Sequence, residues 1–218
     1  MSCATVLKSL SQARAIADYA KQLGISVTSA PRRASTCHIG AALADTVLQS
    51  GLNYRTVVRP RVYRIQVAYP EATVLSGVRE IVKQGKASEF LKWRHPAKIT
   101  RFVHLVALLD ADGVECAGDL RRWLEARGAR DRLLGLHGIG PKTYDYICCL
   151  VGMDCIAVDR HLKTFASEAG VSVTGYEELQ VAISYAADLL GLGHRDFDAW
   201  IWHRLSRQIP PPAQYILF

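Results

Sequence analysis

Helical periodicity along nearly the whole chain is the feature that most restricts its fold. Apolar residues recur at every third or fourth position in almost every segment long enough to judge, which is the pattern of an amphipathic helix. No stretch alternates apolar and polar residues over a length that could build a β-sheet, and 155–158 is only a brief extended connection. The sequence therefore predicts an all-α fold of helices joined by short links.

Size and hydropathy limit the organisation of this helical chain. It has 218 residues, of which 50% are hydrophobic, enough for one domain or for two compact lobes around a cleft. Its apolar runs have the length of a core helix, well short of the ~18–20 residues of a membrane span. The N-terminal residues lack the pattern of a secretory signal. We therefore expect an intracellular protein, cytoplasmic or associated with the nucleoid or nucleus, and no membrane partner.

Charge and cysteine usage suggest the class of partner. Lys and Arg number 27 against 20 Asp and Glu, a net charge of +7. Arginine, the commoner of the two bases, is suited to bidentate phosphate contacts and to stacking on bases. The excess favours a nucleic-acid partner, although many basic proteins bind none. The six cysteines form neither CxxC pairs nor Cys/His zinc spacings, so we expect reduced thiols and no metal site.

A glycine-containing turn between two predicted helices is the most informative motif. Residues 136–143 read Leu-His-Gly-Ile-Gly-Pro-Lys-Thr, and the glycines, Gly138 and Gly140, permit a tight turn with outward N–H groups. The N-terminus of the following helix adds a positive dipole end, so the turn predicts an anion site that binds phosphate whatever the base sequence. The alternative is an ordinary helix–helix turn whose glycines only serve packing.

Lys142 lies in the first turn of the helix that follows these glycines. Nearby N–H donors and the positive end of the helix dipole both disfavour its ammonium form. A neutral amine is a nucleophile that can attack an electrophilic carbon and form a Schiff base. A phosphate-binding or solvated lysine is the alternative interpretation.

Asp159 follows an apolar connection and directly precedes another predicted helix. Its ordinary role there is that of N-cap, for which aspartate is a favoured residue. A capping carboxylate is held rigidly, so it could also stabilise positive charge that develops on a sugar. It could equally help to deprotonate the lysine or orient a water molecule.

Together, residues 136–143 and the later Val-Asp-Arg-His of 158–161 resemble the helix-hairpin-helix (HhH-GPD) base-excision DNA glycosylase superfamily, which includes endonuclease III. In that family the hairpin reads Leu-Pro-Gly-Val/Ile-Gly-x-Lys-Thr and the aspartate lies in a Val-Asp-x-His context. Order, residue types and separation agree, and His137 replaces the usual proline. Weaker similarity extends over most of 30–205.

The resemblance implies an all-α fold of two helical lobes, with a DNA-binding and active-site cleft between them. A six-helix barrel lobe with the helix-hairpin-helix would span 33–143. The second lobe would combine both chain ends, 1–32 and 144–218. The implied partner is double-stranded DNA with a damaged or modified base, bound by a monomer.

The resemblance also implies a base-excision glycosylase with β-lyase (AP lyase) activity. Lys142 would attack C1′ of a flipped-out nucleotide and release the base, while Asp159 would support the developing charge. The resulting Schiff base would permit β-elimination at the abasic site. Two alternatives stay open at this point: a monofunctional glycosylase that uses water, and a non-catalytic helix-hairpin-helix DNA-binding protein.

Further contacts follow from the same resemblance. The residues expected to bind the DNA backbone are Gly138, Ile139, Gly140, Thr143 and Arg160, with Lys163, Arg204 and Arg207 as weaker candidates. Gln49 and Asn53 are candidates for a wedge that fills the space left by the flipped base, or else solvated helix-terminal residues. The candidates for stacking on the base are Tyr144, His161, Trp200, Trp202 and His203. Trp200 and Trp202 cannot share a helical face, so we expect one of them to pack inward.

Cofactor expectations come from a departure from the family pattern. Endonuclease III and the adenine-mismatch glycosylases carry a four-cysteine iron–sulfur loop after the last helix, whereas no cysteine follows Cys155 here. We therefore expect no iron–sulfur cluster. The hairpin carbonyls of Gly138 and Gly140 are candidates for holding a monovalent cation, as in related enzymes. The base that is removed stays open, because the substrate of the cluster-bearing enzymes does not transfer.

Overall fold

The computed structural model describes residues 3–26, 35–173 and 175–206, and within these ranges it contains helices and no β-strand. The predicted all-α fold is confirmed. The α-helices are α1 (Cys3–Gln22), α2 (Ile39–Leu48), α3 (Arg59–Ala68), α4 (Leu75–Lys83), α5 (Ala87–Leu91), α6 (Pro96–Ala111), α7 (Ala117–Glu125), α8 (Ala129–Leu134), α9 (Pro141–Leu150), α10 (Arg160–Glu168), α11 (Tyr176–Leu189) and α12 (His194–Leu205). A π-helical turn (Tyr54–Val58) precedes α3 and a 3₁₀ turn (Pro70–Thr73) follows it. None of the described helices is long and apolar enough to cross a membrane.

The chain forms two compact units. Among the described residues, one consists of 3–26, 154–173 and 175–206, and the other of 35–153. The predicted lobe boundary after residue 143 would cut α9, whereas the division between units falls after that helix has ended. The boundary predicted at residue 33 lies outside the described residues. Functional lobes at 33–143 and at 1–32 with 144–218 stay a prediction.

A fully buried helix, α2, forms the centre of the unit that contains 35–153. All ten residues of Ile39–Leu48 are buried, because α3, α4, α6 and α9 pack around it. The sequence predicts a longer helix over 35–50 with one inward face, so both the length and the one-sided burial are wrong. Close packing explains the glycine in its first turn, since a Cβ at Gly40 would lie 2.9 Å from the carbonyl oxygen of Ala72.

The other unit packs α1 against α11 and α10 against α12 around an aromatic core. Phe165 and Phe197 are fully buried at its centre, with ring centroids 6.2 Å apart and nearly perpendicular planes. Alanines on α1 allow that helix to approach closely, as the predicted face indicates, and Ala13 is fully buried. The apolar spacing of this segment predicts one inward face made of Val6, Leu10, Ala13, Ala17 and Ala20, but Leu10 is 44% exposed. This unit fixes the start of α10, where Asp159 lies.

Two helical glycines provide a test of this packing. A Cβ at Gly77 on α4 would lie 2.0 Å from the carbonyl oxygen of Glu71, a backbone atom that cannot move freely. Gly77→Ala is therefore expected to lower the free energy of unfolding by about 1–3 kcal/mol. The matched control is Gly118→Ala on α7, where the Cβ would meet Cys116 Sγ at 3.6 Å, an ordinary contact. We expect this control to raise stability by up to ~1 kcal/mol. Denaturant unfolding measures both, and a Gly77→Ala protein as stable as the unchanged protein would contradict the packing.

Candidate active site

The turn between α8 and α9 has the tight geometry that its glycines predict. Gly138 adopts a φ of +81°, in the left-handed region that favours glycine. The Ile139 N–H then donates to the Leu136 carbonyl at 3.0 Å, which closes the turn. Gly140 is extended and acts as the N-cap of α9, with Pro141 at the first helical position. The preceding helix α8 is not among the sequence predictions.

Two backbone donors of this hairpin are available to an anion. Within the described part of the chain, no acceptor takes the N–H of Gly138 or of Gly140. Nothing lies within 4 Å of a Cβ placed on Gly140, so a phosphate oxygen could approach closely. With the N-terminal dipole of α9 directly behind them, these groups have the composition of a phosphate site.

Two hairpin residues predicted to bind DNA are placed differently. The side chains of Ile139 and Thr143 are buried, because they anchor the turn to the unit rather than face outward. The Thr143 N–H donates to the Gly140 carbonyl at 2.9 Å, and the Tyr144 N–H donates to the same oxygen at 3.1 Å.

The cation site at the carbonyls of Gly138 and Gly140 stays a prediction. Of these two oxygens, that of Gly140 already accepts two N–H groups from the first turn of α9. Over the described ranges, no group of three His, Cys, Asp or Glu side chains could hold a metal ion.

Arg101 of α6 supports the hairpin from outside it. Its Nε donates to the His137 carbonyl at 3.1 Å. A Cβ on Gly138 would overlap the Arg101 guanidinium, so Gly138 is required both by its φ and by this contact. Sequence reasoning missed Arg101, because no local pattern links a helix to a turn 36 residues later.

Lys142 is half-buried and lies at the second position of α9. Its Nζ donates to Gln49 Oε1 and lies 5.6 Å from the centre of the Tyr146 ring. Gln49 is only 8% exposed. The alternative of a solvated residue is therefore wrong, because the side chain of Gln49 is buried and bonded to Lys142. The role of Gln49 as a wedge stays a prediction.

The side chain of Asn53, the second wedge candidate, also forms a hydrogen bond within the chain. Its Oδ1 accepts the Thr56 N–H at 3.0 Å and so caps the π-helical turn that follows. This bond gives Asn53 a local structural role that explains its presence without DNA.

A buried carboxylate lies one helical turn before Gln49. Asp45 on α2 is 3% exposed. Its two oxygens accept hydroxyl hydrogen bonds, from Tyr146 at 3.0 Å and from Tyr54 at 3.1 Å. The Lys142 amine, the Tyr146 ring and Asp45 therefore belong to one connected polar cluster. No pattern in the sequence points to Asp45, which occupies an ordinary polar position of a helix.

Lys98 on α6 is a second lysine at this site, and sequence reasoning missed it. Its Nζ donates to the carbonyls of Val47 at 2.9 Å and Ser50 at 2.7 Å, at the C-terminal end of α2. Burial, together with the nearby charges of Arg101 and Lys142, lowers the pKa of Lys98 to about 8. The site thus contains two amines within electrostatic reach of each other.

Asp159 has the predicted capping role. Its Oδ1 accepts the N–H groups of His161 at 2.8 Å and Leu162 at 3.1 Å, at the start of α10. One oxygen carries both bonds, so the carboxylate is held in a fixed orientation. The neighbouring Arg160 side chain is exposed, as a phosphate contact requires. Asp159 and Arg160 belong to one unit and Lys142 to the other.

A solved structure shares this arrangement of helices. No protein-family model and no curated protein sequence matches the chain. The crystal structure of H. pylori 3-methyladenine DNA glycosylase (MagIII) bound to 1,N6-ethenoadenine matches with a TM-score of 0.62 and 16% identity, over 93% of this chain and 99% of that one. The chain has the fold of a DNA glycosylase. The fold implied by the hairpin motif is thereby confirmed.

Within this glycosylase fold, two of the aromatic residues predicted to stack on a base have other partners. The Tyr144 hydroxyl donates to the Leu124 carbonyl at 3.1 Å, and burial, foremost, raises the pKa of Tyr144. Trp200 packs on the aromatic core, with ring centroids 5.9 Å from Phe165 and 6.3 Å from Phe197. Trp200 is the inward-packing tryptophan. The assignment of both residues to a base pocket stays a prediction, and these contacts give each a structural role without a base.

The remaining aromatic candidates of the glycosylase fold lie near one another at the start of α10 and the end of α12. The rings of His161 and Trp202 contact edge to face, with centroids 6.3 Å apart. His161 is buried, whereas Trp202 is partly exposed and His203 is exposed.

Three basic residues are the weaker candidates for binding the DNA backbone. Lys163 is exposed, and the Arg204 guanidinium lies 5.8 Å from the centre of the Trp200 ring. Arg207 lies outside the described residues.

The capping geometry of Asp159 predicts a contrast between two substitutions. Asp159→Ala removes the acceptor of two N–H groups and is expected to lower the free energy of unfolding by about 1 kcal/mol. Asp159→Asn keeps a side-chain oxygen of equal capping strength and should change stability by a few tenths at most. Thermal and denaturant unfolding measure both. Equal losses in the two variants would show that charge, not the cap, stabilises α10.

Proposed function

We propose that this protein is a base-excision DNA glycosylase that removes a damaged or modified base and then nicks the strand through a Schiff base on Lys142. The observation that carries the proposal is a half-buried lysine in the first turn of a helix, directly behind two open N–H donors, in a chain with a glycosylase fold. The hairpin supplies a phosphate contact and the lysine supplies a nucleophile next to it.

The hairpin and the basic charge account for DNA binding. A duplex presents regularly spaced phosphates, and the N–H groups of Gly138 and Gly140 would bind one of them without reading sequence. Arg160 and a net charge of +7 would add further attraction to the backbone. The protein would bind the duplex as a monomer, with the lesion nucleotide flipped out of the stack.

The reaction then follows from the two functional side chains. The Lys142 amine gives up its hydrogen bond to Gln49 and attacks C1′; the bond from C1′ to the base breaks, and the base leaves with the electron pair. Positive charge develops on the sugar, and the Asp159 carboxylate stabilises it. The attacking nitrogen then loses its extra proton to water, the bond from C1′ to O4′ breaks, and O4′ takes up a proton to become a hydroxyl. This ring opening leaves a protonated imine between Lys142 and C1′. Loss of a proton from C2′ then expels the 3′ phosphate and cleaves the strand.

The substrate class we propose is a modified adenine. The similar solved structure is that of a 3-methyladenine glycosylase bound to 1,N6-ethenoadenine. A purine with an altered edge needs a stacking surface more than a dense set of hydrogen bonds. The partly exposed Trp202 offers such a surface: its ring contacts that of His161, which follows Asp159 closely in sequence, and all three residues belong to the same unit.

The first test replaces the proposed nucleophile. With a duplex that contains ethenoadenine or an abasic site, the unchanged protein should nick the strand and form a covalent adduct in borohydride. Lys142→Gln should lose at least 10²-fold in both, because no other group replaces the amine. Lys83→Gln, at an exposed lysine of α4, is the matched control and should behave like the unchanged protein. A Lys142→Gln protein that traps as well as the unchanged protein would overturn the Schiff base.

The same assay separates the alternatives. A monofunctional glycosylase would release the base without nicking and form no adduct. Asp159→Asn should slow base release about 10²-fold or more while duplex binding stays the same, since the variant keeps the cap and loses the charge. A purely DNA-binding protein would release no base from any modified duplex, and its salt-sensitive binding would be the only activity.

A further inference from the structure

Two lysines from different helices donate hydrogen bonds at the C-terminal end of α2. Lys98 of α6 donates to backbone carbonyls on either side of Gln49, and Lys142 of α9 donates to the Gln49 side chain. Both amines therefore lie against the same helical turn. Lys142 is named among the charges that lower the pKa of Lys98, so the two groups are electrostatically coupled.

We propose that Lys98 is a positioning residue for the nucleophile: its ammonium group, fixed on the carbonyls that end α2, holds a positive charge beside Lys142 and thereby favours the neutral, reactive amine of Lys142. The inference rests on the proposed function for its purpose, since only a nucleophilic lysine needs such tuning. A second cation close to a lysine is a recognised way to activate it.

The fixed position of Lys98 carries this assignment. The last carbonyls of a helix have no partner within it, and α2 is buried along its whole length. Lys98 satisfies them with its three ammonium protons, bonding Leu48 at 3.4 Å in addition to Val47 and Ser50. A charge that serves as the cap of a buried helix cannot swing away when a substrate enters.

The other charged and titratable groups around Lys142 define what the experiment must hold constant. On α2, Asp45 favours the ammonium form, and its carboxylate is held by the hydroxyls of Tyr54 and Tyr146. On α6, Arg101 adds a second positive charge and supports the hairpin. The α8 residue Arg130 lies over Tyr144. Only Lys98 is changed in the test, so these contributions cancel in the comparison.

The direction of the effect follows from the sign of the charge. A positive neighbour makes protonation of Lys142 less favourable, so its removal should raise the pKa of Lys142. A shift of about one pH unit is expected for two charges that contact the same helical turn in a half-buried site. Below the new midpoint, the neutral fraction of Lys142 would then fall by about tenfold.

The experiment measures the reactivity of each amine in the free protein. Trace labelling with acetic anhydride across a range of pH, followed by mass spectrometry of chymotryptic peptides, gives the midpoint for Lys142. Lys98→Met should raise this midpoint by about one pH unit, whereas Lys98→Arg, which keeps the charge, and Lys83→Met, an exposed control, should leave it in place. The same midpoint in Lys98→Met and in the unchanged protein would overturn the proposal.

A reciprocal variant keeps the proposal testable if Lys98→Met does not fold. Coupling between two sites is mutual, so Lys142→Met should raise the labelling midpoint of Lys98 by a similar amount, and an unchanged midpoint would overturn the inference. Neither of the two labelling measurements needs DNA. A protein that shows the coupling but forms no adduct with an abasic duplex would refute the proposed lyase alone, and one that forms the adduct without the coupling would refute only the role of Lys98.

Discussion

The buried end of α2 is the constraint on which the site depends. A helix that is covered on every side cannot give its last carbonyls to water, and leaving them without partners would cost about 1–3 kcal/mol for each group. The cation that Lys98 supplies resolves this problem, and the side chain of Gln49 draws Lys142 to the same place. A requirement of the fold therefore brings two amines together, and we propose that their mutual repulsion favours the neutral form of Lys142.

The hairpin adds a second, independent constraint next to this one. Its turn needs a left-handed residue at position 138, and the guanidinium of Arg101 fills the space that a side chain there would occupy. Buried Ile139 fixes the turn to the unit. The result is a rigid pair of N–H donors just before α9. Lys142, which donates to Gln49, follows them in the first turn of that helix. Rigid donors bind phosphate with little loss of conformational entropy, which suits the phosphate contact that we propose.

Local sequence signals predicted the parts of the structure that local chemistry decides. The proline at the start of α9 and the capping aspartate of α10 place those helices within a residue or two, and the spacing of Trp200 and Trp202 correctly predicts that one packs inward. The short helix α8 and the π-helical turn have too few residues to show a period. Their existence depends on packing rather than on pattern.

The contacts at the site that the sequence did not predict have a common physical origin. Gln49 meets Lys142 across 93 residues, and Lys98 meets the end of α2 across about 50. Contacts of that range are set by how helices pack, and no spacing in the sequence encodes them. Tyr144 illustrates the same point, because a residue next to the motif turned out to bond the end of α7 instead of facing a substrate. The motif predicted Lys142 as the nucleophile, and only the structure shows the side chains that contact it.

The most direct measurement of the central claim locates the bond to the sugar. After borohydride reduction of the complex with an abasic duplex, nuclease and protease digestion followed by tandem mass spectrometry would identify the modified lysine. We expect the sugar remnant on Lys142. A remnant on Lys98 or on another lysine, with Lys142 unmodified, would contradict the account.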